Sequence, residues 1–278
     1  TGNEGAAAGH VMGRLAAGKM ETVEFTSGPY EPSFGIQLWK SYVDSFAITL
    51  AAPSGQVFGP IREDQEIRRY RYRDTMILIY YGLPSPYTQA QEIYFDFIPE
   101  KDYVETGNWK FFLQPERIVS GQYDMWLPSA GTLNPATRFL RPAPDTTLTI
   151  PSSSVRAVSV GAYNSAYQSY SEFSGRGYTR LTEQVKPDIA APGSDITAPK
   201  NGGGYGVFTG TSFAAPFVAG SAALMMEWGI VRGNDPYLYG EKAKAYLHRG
   251  ARKLPGFDQW PNPQAGYGAL CLRDSLPL

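Results

Sequence analysis

One cysteine and two histidines are all that 278 residues provide of the two most versatile catalytic side chains. A single cysteine, Cys271, cannot close an internal disulfide, which excludes a disulfide-stapled secreted fold. Flanked by Leu270 and Leu272, its thiol reads as a small core residue. Charge of one sign is also missing: 25 basic residues stand against 26 acidic ones. Neither a nucleic acid nor an anionic membrane is therefore implied as a partner. Apolar stretches are interrupted within a few residues, well short of the roughly 20 that span a bilayer, and no basic-then-apolar signal opens the sequence. What is abundant is punctuation. Thirty glycines and 22 prolines predict many turns in a chain long enough for one large or two medium domains.

The texture changes along the chain. Between residues 23 and 150 short alternating or fully apolar runs recur: VEF at 23–25, IQLW at 36–39, FAITL at 46–50, MILIY at 76–80, IYFDF at 93–97 and WKFFL at 109–113. Turn signals separate them, and no helical run intervenes, which predicts an all-β sandwich or jelly roll. From about residue 155 the texture is α/β. The run RAVSVGA at 156–162 and the end of IAAPG at 189–193 read as buried strands. The small and apolar stretch from Ser212 to Trp228 reads as a buried helix closed by Gly229 as its C-cap. A last amphipathic helix over 240–250 turns Ala243, Tyr246 and Leu247 inward and its lysines outward. Two or three strands make a poor parallel sheet, so the α/β half is expected to lack strands on its N-terminal side.

The stretch TGTSFAAPFVAG at 209–220 sets a serine among small residues at the head of the long helix. Free N–H groups and the positive end of the helix dipole there favour the negative charge that develops when Ser212 attacks a carbonyl. Gly210, Ala214 and Ala215 let a peptide backbone approach, and Pro216 falls where helix bonding is incomplete anyway. The plainer reading makes Ser212, or Thr211 beside it, a cap for a buried helix.

Three segments together resemble the subtilisin-like serine proteases, the subtilases. GTSFAAPFVAG at 210–220 is similar to the family's nucleophile motif, and FSGRG at 173–177 followed by KPDIAAPG at 186–193 is similar to the stretch leading into it. GNEG at 2–5 resembles the turn whose asparagine donates to the oxyanion. About 150 residues separate that turn from Val160, and the β block fills the gap. An insertion there narrows the resemblance to the clostridial germination proteases, the Csp subtilases. FGIQLW at 34–39 and QYDMWLP at 122–128 resemble their inserted jelly roll, and GYG at 266–268 resembles their C-terminal end.

The resemblance implies an α/β subtilisin-like fold, the C-terminal half of a parallel sheet with helices on both faces, interrupted by an all-β jelly-roll domain. The implied division is residues 1–12 for the oxyanion-hole segment, 13–150 for the inserted domain and 151–278 for the nucleophile-bearing segment. It implies Ser212 as nucleophile and Asn3 as oxyanion-hole donor, with no metal and no cofactor. The implied function is serine endopeptidase activity on a protein or peptide, a spore cortex-lytic proenzyme activated during germination, with the spore as location. A plain turn asparagine is the simpler reading of Asn3.

A nucleophilic serine needs a base, and subtilases carry theirs upstream in the order Asp, His, Ser. His248 follows the serine on a helix whose lysines predict a solvated face. His10 stands at the edge of the β block, where no family base sits. Two readings remain: the Asp and His belong to an N-terminal subtilase portion outside these residues, or the protein is a catalytically inactive subtilase serving as a binding or signalling scaffold. A third gives the function to the β block, with Tyr70, Tyr72 and Tyr81 stacking sugars. Asp188 and Asp195 are too few for a hard-cation site and read as caps. Arg62, Arg68, Arg69, Arg71 and Arg73 are expected to pair with carboxylates across strands.

Overall fold

The structure is a computed structural model and describes residues 1–64 and 66–277. The chain forms two compact units, residues 7–143 and residues 1–6 with 144–278.

Residues 7–143 hold eleven strands: β1 (His10–Arg14), β2 (Glu21–Ser27), β3 (Phe34–Ser41), β4 (Ser45–Ala51), β5 (Val57–Ile61), β6 (Arg68–Tyr72), β7 (Thr75–Tyr81), β8 (Ala90–Pro99), β9 (Gly107–Arg117), β10 (Gln122–Trp126) and β11 (Arg138–Phe139). They build a six-stranded sheet in the order β1-β10-β3-β8-β7-β6 and a five-stranded sheet in the order β11-β2-β9-β4-β5. Every pairing is antiparallel. Alternation along each strand decides which face is buried. On β9, Trp109, Phe111 and Leu113 have no exposed surface while the residues between them reach solvent. Phe25 of β2 meets Phe97 of β8 at 5.6 Å, and Phe95 meets Phe111 at 4.8 Å, both edge to face. The two sheets thus share one aromatic core, and rings in this geometry add to plain area burial.

All six apolar runs read from the sequence lie inside strands, and among the described residues of this unit the only helical element is a single turn, Ala130–Thr132. Four of the five arginines pair with carboxylates: Arg62 with Glu116 at 2.6 Å, Arg71 with Glu100 at 2.5 Å and Arg73 with Glu105 at 3.3 Å, while Arg68 pairs locally with Asp64, four residues before it, rather than across strands. Two of the three tyrosines offered as sugar platforms are occupied by packing. Tyr72 is buried against Trp109, and Tyr70 leans on Phe58. His10 is fully buried, stacked on Trp126 and 3.1 Å from the Asp124 carboxylate, which is a structural role.

In the other unit β12 (Val160–Asn164) pairs in parallel with β14 (Ile189–Pro192) and antiparallel with the short β13 (Ser169–Tyr170). A hairpin of β15 (Ile196–Pro199) and β16 (Tyr205–Phe208) follows. It leads into α1 (Thr211–Met226), then α2 (Gly240–Gly250) and α3 (Leu272–Ser275). Ala214, Val218 and Met225 of α1 pack on Val160, Ala162, Ile189 and Ala191.

Three expectations need correcting here. The helix does not stop at Gly229: a π-helical turn, Glu227–Val231, carries it on, closed by the Arg232 N–H to the Glu227 carbonyl at 3.0 Å. Gly229 is small for packing, since a Cβ there would sit 3.0 Å from the Leu238 side chain, and Gly233 supplies the left-handed residue beyond the end. The lysines of α2 are not all outside, and Cys271 is half exposed, its thiol 3.2 Å from the Asp274 carboxylate rather than in the core.

Candidate active site

Residues 1–6 are laced to the rest of their unit by backbone bonds. The Thr1 nitrogen donates to the Val160 carbonyl at 3.1 Å, Thr149 N–H to Thr1 at 3.0 Å, Gly175 N–H to Gly2 at 2.9 Å and Gly5 N–H to Phe173 at 3.0 Å. Such close chain-on-chain approach needs a missing side chain. A Cβ on Gly5 would lie 2.2 Å from the Ser174 carbonyl oxygen, so no other residue fits. The FSGRG stretch read from the sequence is thus the wall against which GNEG is set.

The turn fixed in this way presents Asn3 to the start of α1. Its side-chain Oδ1 accepts the Thr211 backbone N–H at 3.0 Å and the Thr211 hydroxyl at 3.2 Å. Thr211 N–H is one of the donors that a helix start leaves without an intrahelical acceptor, and Gly210, the residue before it, has no side chain to cap it. Asn3 therefore caps the helix from 208 residues away in sequence. With Oδ1 committed to Thr211, the amide NH2 is the end of Asn3 left to donate. It lies along Gly210, where a Cβ would come within 3.3 Å of Nδ2, and Gly210 also has a φ of 152° that suits glycine.

Ser212 is the second residue of α1 and is exposed, whereas Thr211 and Ala214 on either side are buried. Its own N–H is among the unpaired donors of the first turn. Gly210 N–H bonds to the Gly193 carbonyl at 2.8 Å, which ties the IAAPG turn to the turn that precedes Ser212. Phe208 and Phe213 stack at 5.0 Å, one on each side of residues 209–212. This aromatic pair was not legible beforehand, because neither ring is marked by spacing.

Neither histidine joins Ser212. His248 lies on α2 with its ring stacked on Tyr267 at 3.9 Å and Nε2 3.3 Å from Asp188. Its side chain is 19% exposed, so the expectation of a solvated face was wrong. The reason is local: positions 244 and 248 share one helix face, and Lys244 and His248 both turn to the same carboxylate. Asp188 is the hub of this cluster, not a simple cap. It accepts Lys186 Nζ and Lys244 Nζ at 2.7 Å each, and the Ser159 N–H and hydroxyl at 2.7 and 3.0 Å. Burial alone would raise its pKa. The bonds from His248, the two lysines and Ser159 outweigh burial and hold the carboxyl well below the usual carboxylate range.

That cluster sustains the wall behind the site, because Lys186 and Asp188 stand just before β14, the strand that leads to Gly193. Asp188→Ala leaves the buried Lys186 ammonium without its partner and is expected to cost about 3–5 kcal/mol in chemical denaturation at pH 7. The folded-state pKa is depressed, so the carboxylate's contribution is complete above the unfolded value near about 3.9 and is lost as pH falls below it. The difference between wild type and variant should therefore shrink in acid.

Asp195 sits at a φ of +58° with its N–H on the Thr209 hydroxyl at 3.0 Å. Among the described residues no group of three or more His, Cys, Asp or Glu side chains could hold a metal.

Residues 132–268 match the model of the subtilase family, peptidase S8. Those residues are thus similar to a subtilase domain. The chain is similar to the CspB protease of Clostridium perfringens: 35% identity, a TM-score of 0.91, and coverage of 99% of this chain and 57% of that one. Subtilisin of Bacillus pumilus is 45% identical over 69 residues, 25% of this chain and 22% of that protein. The PII-type proteinase of Lactococcus lactis subsp. cremoris is 44% identical over 59 residues, 21% of this chain and 3% of that protein. The chain thus spans little more than half of the CspB chain and less than a quarter of these curated relatives.

Proposed function

We propose that this chain is the nucleophile-bearing part of a subtilisin-type serine endopeptidase. Ser212 Oγ attacks the scissile carbonyl, a base takes its proton, and the oxyanion is held by the Asn3 amide NH2 and the Ser212 N–H; the acyl-enzyme is then hydrolysed by water. The observation that carries this reading is the pair of hydrogen bonds from Thr211 to Asn3 Oδ1, since they aim the remaining amide donors at the helix start where Ser212 is exposed.

The base and its aspartate belong, in this proposal, to an N-terminal subtilase portion outside these residues. Both histidines present are committed elsewhere, and α1 supports the idea independently. One stripe of this helix is packed, yet Phe217, Leu224, Met226, Ile230 and Val231 on its other sides are exposed. An all-round apolar helix is expected to be buried on all sides. By length and composition alone Thr211–Val231 could also cross a membrane; the packing of its buried stripe on β12 and β14 favours a protein covering instead. Residues 13–150 are proposed as an inserted jelly-roll domain, flanked by subtilase segments 1–12 and 151–278. The two-sheet aromatic core of residues 7–143 and the likeness to CspB over 99% of this chain support that division.

Resemblance to the Csp subtilases supports a spore cortex-lytic proenzyme as substrate and the spore as location. An inactive subtilase acting as a scaffold is the second reading, favoured by the absence of a histidine at Ser212 among the described residues. Fluorophosphonate labelling of the natively purified protein separates the two. Ser212-dependent labelling supports the protease; a folded, unlabelled particle containing the N-terminal portion supports the scaffold.

A further inference from the structure

We draw no further inference here: the strongest candidate, the surface patch made by the exposed rings of Tyr30 and Tyr103 on the loops that join β2 to β3 and β8 to β9, carries nothing because nothing in the structure shows what covers it.

Discussion

Ser212→Ala is expected to abolish fluorophosphonate labelling and peptide hydrolysis in the intact protein, with no change in melting temperature beyond a few tenths of a degree per repeat scan. The first half follows from chemistry: without Oγ there is no acyl-enzyme, and loss of a triad member in such an enzyme removes about 10⁶-fold of kcat. The second half follows from structure. Ser212 is exposed at the second position of α1, its side chain makes no hydrogen bond among the described residues, and alanine is a better helix former. The helix start is capped by Asn3 through Thr211, not by Ser212. If Ser212 were instead the cap, Ser212→Ala would cost about 0.5–2 kcal/mol and labelling would be absent from both proteins. Labelling that persists in Ser212→Ala would sink the assignment outright.

How much of this was legible depended on how local the signal was. The helix start at Ser212 could be read because its determinants are neighbours: Gly210, the small residues after Ser212, and Pro216 in the first turns of α1. The β unit was legible for the same reason, since a period of two survives in each strand, as Trp109, Phe111 and Leu113 demonstrate. Strands with weaker alternation, such as β1 and β10, were not found; they are recognisable only once Val11 and Met125 are seen paired across the sheet. The Asp188 cluster was missed because it draws on residues 155–159, 186–188 and 244–248 at once. One clue was available: Lys244 and His248 stand four apart, so they share a helix face with a single partner. The helix end at Gly229 was misread because a glycine chosen for packing against Leu238 looks, in sequence, the same as one chosen for a left-handed φ. Asn3 was placed by resemblance alone. That its oxygen caps α1 required the fold.

That last point makes Asn3→Asp the most discriminating substitution in the chain. In the proposed mechanism asparagine does two jobs with two ends of one amide. Oδ1 accepts from the Thr211 N–H and hydroxyl, and the NH2 is proposed to donate to the oxyanion. Alanine removes both, so a loss of activity in Asn3→Ala would mix a disturbed helix start with a lost donor. Aspartate keeps the acceptor. Its carboxylate can still bond Thr211, and a negative charge at a helix N-terminus is worth about 0.3–1 kcal/mol in favour of the fold. It has no hydrogen to donate, and its charge opposes the developing alkoxide. Asn3→Asp is therefore expected to melt at or above the parent temperature while kcat falls by at least the 10²–10³-fold that follows loss of one oxyanion donor, with KM little changed because the donor acts on the transition state. Asn3→Ala should show a similar loss of kcat together with a lower melting temperature, since Thr211 N–H then faces the helix start without its acceptor. If Asn3→Asp retained full kcat, the amide would be a cap and nothing more, and the oxyanion would have to be held by backbone donors alone. If it lost stability as Asn3→Ala does, the acceptor geometry at Thr211 would be wrong, and with it the orientation that turns the NH2 towards Ser212.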